Sequence, residues 1–399
     1  MIEPKEFYRK LDSLLVKIGQ EKSGKDFLFT IIKEIEITFG KDLHFGNGRI
    51  FEQSDDEFFL IFPDGNSDQI KTAVKIPLNS HIAESILRSK TYIFDNQMDG
   101  IDSLRVNKKG YSIPVAFTIH NQDYRWIFVF DLIDGWIREE IDLCLNAVRT
   151  ALNYRLFSES VKGELEQASQ IQKSLLPISD PVIPGYQIAG RSQPAELVGG
   201  DLFDYFKFDS EQYGICIGDA SGHGIPAALM VRDVVIGLRV GLEKNMQMVY
   251  TIKKLNSVLH QNNYSSRFIS LFYTEMERNG NLFYINAGHP SPLLLIGNEI
   301  SELDSTGLLL GALPEIALRR SYISIPPKGV LVLYTDGILE RENKKGEEFG
   351  AARLKKVITT NKEKSSDEIM NSIFNAADDF GKSKKWKDDA TVVVVKRLE

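Results

Sequence analysis

Four acidic motifs, each at one end of an apolar run, constrain this chain more than any other feature. Asp201 closes Val198-Gly199-Gly200-Asp201. Asp219 sits in Ile217-Gly218-Asp219-Ala220-Ser221-Gly222-His223-Gly224, after the strand-like run Tyr213–Ile217. Asp336 follows Val330–Leu333 in Tyr334-Thr335-Asp336-Gly337. Asp388 and Asp389 precede the β-branched run Thr391–Val395 in Lys387-Asp388-Asp389-Ala390-Thr391. In each motif an apolar strand delivers a carboxylate to its end, and glycines beside it let the backbone turn or approach closely. One such aspartate is usually a turn residue, but four beside strands in one region invite a fold that brings them together. Two carboxylates at ~4 Å repel by about 4 kcal/mol at an effective dielectric of ~20. Convergence therefore calls for a cation or for raised pKa values. An all-oxygen donor set suits Mg²⁺ or Mn²⁺ rather than zinc, and two such ions can share a carboxylate and support in-line attack on phosphorus.

The rest of the chain frames that region. Its 399 residues suggest two or three domains. A net charge of -7 argues against a general nucleic-acid binder and against a polybasic membrane anchor. Apolar runs such as Trp126–Leu132 are far shorter than the ~20 residues a membrane helix needs. The charged stretch Met1 to Lys10 has no apolar core of a signal peptide. Cys144 and Cys216 lie far apart in apolar runs, as buried thiols in a reducing compartment would, and no Cys/His zinc spacing exists. A cytoplasmic protein is the expectation.

Residues 1–155 read as one domain. Helical periodicity covers Leu11 to Phe39 with a break at Gly24. Strands are expected at Arg49–Phe51, Phe58–Phe62 and Ala73–Ile76, with turns at Gln53–Asp56 and Pro63–Asn66. A short helix is expected at Ile82–Leu87 and a hairpin at Ile113–Ile119 and Trp126–Leu132. A further amphipathic helix begins near Arg138. This order resembles a GAF-type sensor domain, a six-stranded antiparallel sheet with helices on one face. Such a domain would receive a small-molecule or protein signal, or serve only for dimerisation or protein contact. Residues 156–180 form a linker helix with Phe157, Val161, Leu165, Ala168, Ile171 and Leu175 on one stripe, ended by Pro177 and Pro181. The stripe reads either as a dimer-forming switch helix, which would make the chain a homodimer, or as a core-facing helix. Residues 181–399 hold the acidic motifs.

The ordered set Ile171–Pro177, Val198–Asp204, Gly218–Gly224, Asn286-Ala287-Gly288-His289-Pro290, Tyr334–Gly337 and Asp388–Thr391 resembles the SpoIIE/RsbU branch of the metal-dependent protein phosphatases (PPM), relatives of protein phosphatase 2C. The resemblance covers about residues 165–398. It implies an α+β fold: a C-terminal α-β-β-α sandwich of two mostly antiparallel sheets flanked by helices, preceded by the GAF-like domain and the linker helix. It implies hydrolysis of phosphoserine or phosphothreonine on a regulatory protein, for this branch an anti-anti-sigma protein of the STAS type, with two Mn²⁺ or Mg²⁺ ions. Asp219 would bridge the ions, the Ala220 carbonyl would bind one, Asp336 and Asp388 would ligate the other, and Asp201 would bind directly or through water. Asp389 would support the ligands from behind. The eukaryotic branch has a histidine two residues after the bridging aspartate, where this chain has Ser221. His223 is then a candidate acid or a loop residue, and His289 a loop-shaping or rim residue. No arginine matches a phosphate-gripping position. Ile225–Met230 begins a core helix, with Pro226 in its first turn. The lysine-rich Lys382–Lys387 reads as a solvated loop, with phosphopeptide steering as the alternative. Two other functions compete: a phosphatase-fold scaffold without activity, against which the intact acids speak, and a phosphohydrolase acting on nucleotides or nucleic acid, against which the acidic charge and the missing Walker-type loop speak.

Overall fold

The computed structural model describes residues 4–20, 25–62, 75–95, 104, 112–121, 124–242, 248–262, 267–382 and 384–398. Gly24, the turn at Pro63–Asn66 and the first half of the Ala73–Ile76 strand lie outside the described residues. The chain divides into two units, Met1–Glu164 and Leu165–Glu399.

In the first unit, α1 (Pro4–Gln20) and α2 (Lys25–Phe39) lead into β1 (Phe45–Ser54), β2 (Glu57–Phe62) and β3 (Lys75–Pro77). Then come α3 (His81–Arg88), β4 (Thr91–Ile93), β5 (Ile113–His120), β6 (Arg125–Leu132) and the start of α4 (Arg138–Lys173). The six strands form one antiparallel sheet in the order β3-β2-β1-β6-β5-β4. Both of its faces are covered. Phe45, Phe117, Phe128 and Phe130 pack with Ile31 and Ile35 of α2 and with Ile141, Leu145 and Val148 of α4. On the other face, Phe51, Phe58, Ile127 and Val129 pack with Ile82 and Ile86 of α3. The expectation of helices on one face alone does not hold, because the central strands are apolar at successive positions and leave neither face free for water. The Arg49 guanidinium and the Asp131 carboxylate, both buried, form a bidentate pair at 2.7 and 2.8 Å. Two helices were expected between 138 and 175. They are one, since nothing between Leu156 and Phe157 breaks the hydrogen-bond ladder, and the division between the units falls inside it.

The second unit continues with β7 (Tyr186–Gln193), β8 (Asp201–Lys207), β9 (Gln212–Ala220), α5 (Ile225–Gly241), α6 (Met248–Gln261), β10 (Ile269–Glu277) and β11 (Asn281–Ala287). Next are β12 (Leu293–Ile296), β13 (Glu299–Glu302), β14 (Ser321–Ser324), β15 (Val330–Tyr334), α7 (Asp336–Leu339), α8 (Gly350–Asn361), α9 (Ser366–Gly381) and β16 (Ala390–Arg397). Two antiparallel sheets result, β14-β11-β10-β9-β8 and β13-β12-β15-β16-β7. Phe203, Ile215, Ile217 and Phe272 of the first sheet meet Leu294, Leu331, Leu333, Val393 and Val395 of the second in one core. The outer face of the first sheet carries α5 and α6 through Val231, Val235, Leu238 and Ile252. The outer face of the second carries α8 and α9 through Leu354, Ile358, Ile369 and Phe374. Helices therefore flank a two-sheet sandwich. Strands such as Val330–Tyr334 are buried on both sides, which explains their unbroken apolar runs. A capping box starts α9: the Ser365 hydroxyl accepts from the Glu368 N–H, and the Glu368 carboxylate accepts from the Ser365 N–H. Among the described residues, no helix is long and apolar enough to cross a membrane.

Candidate active site

The acidic motifs meet because both sheets end their strands at the same end of the sandwich. Asp201 opens β8 and pairs in register with Asp219 near the end of β9. In the other sheet β15 delivers Thr335 and Asp336, and Asp388 and Asp389 lead into its neighbour β16.

Asp201 joins the two sheets. It is 4% exposed, and its Oδ2 accepts hydrogen bonds from Thr335 Oγ1 at 2.8 Å and Thr391 Oγ1 at 2.6 Å. Its Oδ1 is buried and makes no hydrogen bond. Burial pushes the Asp201 pKa well above the usual carboxylate range; the Thr391 and Thr335 hydroxyls oppose this, and the charges of Asp389 and Asp336 add to it.

Asp219 is half-buried, with its pKa pushed up to about 9, first by burial and then by the charges of Asp201, Asp336, Asp388 and Asp389. Asp336 is raised too, by burial and by Asp388. All five aspartates are therefore close enough to act on one another.

Asp389 has a different surrounding. Its Oδ1 accepts from the Ala195 N–H at 2.7 Å and its Oδ2 from the Gly200 N–H. Burial raises its pKa against the pull of those two amides. Both oxygens are thus committed to backbone, and Asp389 holds the loop that ends in Asp201. Two glycines make room for it. A Cβ on Gly199 would stand 2.8 Å from Asp389 Oδ2, and one on Gly337 would stand 2.0 Å from the Asp389 carbonyl. Asp388 is exposed beside it, with Oδ1 accepting from the Asp389 N–H at 2.8 Å. The Ala220 backbone is buried between these elements, its N–H donating to the Gly200 carbonyl at 3.0 Å.

The residues fit a hard divalent cation by donor chemistry: oxygen ligands only, mutual repulsion to be relieved, and an orphaned carboxylate oxygen on Asp201. Among the described residues, no three His, Cys, Asp or Glu side chains are disposed to hold one ion together. Mg²⁺ characteristically takes one or two carboxylates and keeps several waters.

The histidines separate clearly. His223 is exposed, with Nδ1 3.6 Å from the exposed Glu196 carboxylate. His289 is buried, its N–H donating to Asn286 Oδ1 and its Nδ1 sharing a 2.8 Å hydrogen bond with Ser270 Oγ. Burial pushes its pKa down to about 3, with the Tyr334 backbone opposing. His289 is therefore a neutral part of the core rather than of a rim.

Sequence reasoning assigned no role to several residues that shape the site. Thr335 and Thr391 lie inside the acidic motifs, and their signal is a hydroxyl one residue before Asp336 and two residues after Asp389. Gln172 grips the loop before Asp201: Gly199 N–H donates to its Oε1 at 2.9 Å, and its Nε2 donates to the Gly199 carbonyl. Arg239 donates to the buried Asp204 carboxylate at 2.7 Å and to the Leu175 carbonyl. Arg267 donates to the Ser221 carbonyl at 3.0 Å, beside the acid-bearing loop.

Residues 209–398 match the model of the family described as Stage II sporulation protein E (SpoIIE). The match takes in Asp219, Asp336, Asp388 and Asp389 and begins after Asp201. The chain is 30% identical over 246 residues to Protein IcfG of Synechocystis sp., covering 54% of this chain and 39% of that protein. It is 28% identical over 249 residues to the phosphoserine phosphatase RsbU of Bacillus subtilis, covering 61% of this chain and 72% of RsbU. The chain thus spans well under half the length of IcfG. Among solved structures, the SiaA-PP2C domain of Pseudomonas aeruginosa aligns with a TM-score of 0.54 at 20% identity, covering 61% of this chain and 98% of that domain. Residues 209–398 are therefore similar to the SpoIIE family, and the unit that holds them shares the fold of the SiaA-PP2C domain.

Proposed function

We propose that this chain is a metal-dependent protein serine/threonine phosphatase whose C-terminal unit removes phosphate from a regulatory phosphoprotein. One observation carries it: Asp201, the partner of Asp219 across β8 and β9, accepts hydrogen bonds from Thr335 and Thr391 of the other sheet, the neighbours in sequence of Asp336 and of Asp388-Asp389. The similarity to RsbU, a phosphoserine phosphatase, supports the same reading. Asp219, Asp336, Asp388, the Ala220 carbonyl and Asp201 would hold two Mn²⁺ or Mg²⁺ ions. When bound, such ions polarise a phosphoryl oxygen and lower the pKa of water. The protein's own part is positioning. Thr335 and Thr391 orient Asp201, and Asp389 with Gln172 fixes the Gly199–Gly200 loop.

The substrate we favour is a phosphorylated STAS-type regulatory protein, in a cytoplasmic pathway that controls a sigma factor. Residues 1–155 would act as a GAF-like sensor, and α4 would carry its signal toward Gln172. The exposed Leu143, Tyr154 and Phe157 on α4 support a homodimer. The deciding experiment is turnover on a phosphoserine STAS-type protein with Mn²⁺, with Mg²⁺ and with chelator, for wild type and Asp219→Asn. Metal-dependent release of phosphate, abolished by the substitution, is expected. A wild type that releases none with either metal, as full chain and as residues 165–399, would make the protein a scaffold.

A further inference from the structure

A cationic groove lies beside the acidic centre, walled by the 343–349 loop, α8 and α9. Its volume is about 640 Å³. Lys344, Lys345, Arg353, Lys356 and Lys382 line it, against Glu347 and Asp379, leaving three positive charges in excess. On a chain of net charge -7 this local reversal is a focused positive field.

The groove is built, not incidental. Asn343 Oδ1 accepts from the Lys345 and Glu347 N–H groups, and its Nδ2 donates to the Glu347 carboxylate, so the turn holds Lys344 and Lys345 outward. Arg353 donates to the Glu348 and Phe349 carbonyls and stacks over Phe380 at 4.6 Å. Phe349 and Phe380 supply an apolar floor beneath the cations.

The groove also adjoins the acidic centre. Asn343 lines it, and the preceding Glu342 lines a smaller cavity that contains Asp388 and Gly337. Lys384 Nζ donates to the Asn343 carbonyl at 2.7 Å, and Lys387 bonds Glu342 at 2.5 Å. Buried Arg341 stacks on Trp386 at 4.4 Å and donates to the Lys384 carbonyl, pinning the 384–387 segment to the groove wall. One loop is therefore shared by the carboxylate cavity and the cationic groove.

We propose that this groove docks an acidic segment of the phosphoprotein substrate while the phosphoserine lies at the carboxylate centre. The proposal rests on the phosphatase reading for its substrate. Three observations select a peptide over a small anion. The groove is open, whereas small-ligand sites bury most of the ligand among a few fixed polar groups. Four of its five cations are lysines, point charges on flexible stems that suit loosely registered carboxylates better than a bidentate site. The aromatic floor suits apolar residues interleaved with the acidic ones.

The test uses the full chain and a fluorescent phosphoserine peptide carrying a run of glutamates, with a glutamine counterpart. Binding is read by anisotropy in chelator, and turnover in Mn²⁺. Lys344→Glu/Lys345→Glu/Lys356→Glu should weaken binding of the glutamate peptide roughly tenfold or more, with the thermal midpoint kept as a folding check. The charge-matched control Lys41→Glu/Lys90→Glu/Lys253→Glu, at exposed lysines elsewhere, should not. Equal binding of the two peptides by wild type, or equal loss in both variants, overturns the groove. So does an oligonucleotide of equal charge that displaces the peptide and binds more tightly through the same lysines. Groove-dependent binding without metal-dependent turnover overturns the phosphatase reading and leaves the groove an acidic-peptide site.

Discussion

Asp201 and Asp219 are direct partners across the β8–β9 ladder, one opening its strand and the other a residue short of its strand's end. Two carboxylates facing each other on adjacent strands cannot both ionise without a cost, and burial of Asp201 removes the water that would screen them. A site arranged this way is less stable alone than with a cation. Asp219→Asn should leave the metal-free protein at least as heat-stable as wild type. Mn²⁺ should raise the melting midpoint of wild type, as any ligand of the native state does, but not that of the variant. Turnover should fall by roughly 10²–10³, the range for losing a preorganised charge-stabilising group. Equal metal-induced shifts in calorimetric scans would refute a ligand role for Asp219.

Asp201 keeps its orientation through the hydroxyls of Thr335 and Thr391, and Thr391 also bonds Ser192 Oγ at 2.9 Å. Thr391→Val preserves shape and strand preference and removes only these bonds. The buried carboxylate loses a donor, at a cost of about 1–3 kcal/mol. Support groups behind a ligand typically contribute 10–100-fold to metal affinity. Chemical denaturation and Mn²⁺ titration should show both losses, and an unchanged metal affinity would mean that Asp201 needs no such orientation.

His289 gives the fold a pH dependence on the acid side. Its folded-state pKa of about 3 lies below the ordinary 6.5 because burial disfavours the charged ring. A depressed histidine pKa contributes stability that is full above the unfolded value and is lost as pH falls from 6.5 toward 3, because the unfolded chain takes the proton first. His289→Gln removes this contribution. The stability difference between wild type and variant should therefore shrink between pH 6.5 and 4. A difference that stays constant over that range would show that the ring is not held neutral.

The strand-end aspartates were legible in the sequence because their strands are buried on both faces and so read as short apolar runs that stop abruptly at a charge. The two-sheet sandwich was legible only through the family resemblance that the ordered motifs carry. What tied the acids into place was not legible. Thr335 and Thr391 reach Asp201 across 134 and 190 positions, and Asp389 reaches Gly200 across 189; no local pattern encodes such contacts. His223 drew attention by its closeness to Asp219 in sequence. The chain takes positive φ at Gly222 (87°) and Gly224 (73°) on either side of it, and the side chain ends exposed near Glu196. Spacing along the chain could not show which way that loop points.

Gln172 belongs to a helical run whose stripe periodicity said nothing about a polar contact. Its amide satisfies both the N–H and the carbonyl of Gly199, and the next N–H, of Gly200, is held by Asp389. The loop that presents Asp201 is thus clamped from the end of α4 on one side and from the residue before β16 on the other. Gln172→Ala leaves both Gly199 groups without that partner but removes no apolar packing. Its effect should therefore fall on the site more than on the fold. We expect a drop in turnover of roughly tenfold or more and a weaker apparent Mn²⁺ affinity, with a change in thermal midpoint no larger than that of an ordinary surface substitution. Gln172→Glu can still accept from the Gly199 N–H but cannot donate to its carbonyl, and should fall between wild type and alanine. Turnover and Mn²⁺ titration on the three proteins check the ordering. If alanine matches wild type in both, the helix end does not hold the loop, and any signal carried by α4 must reach the carboxylates by another contact, of which Arg239 on the Leu175 carbonyl is the nearest in the chain.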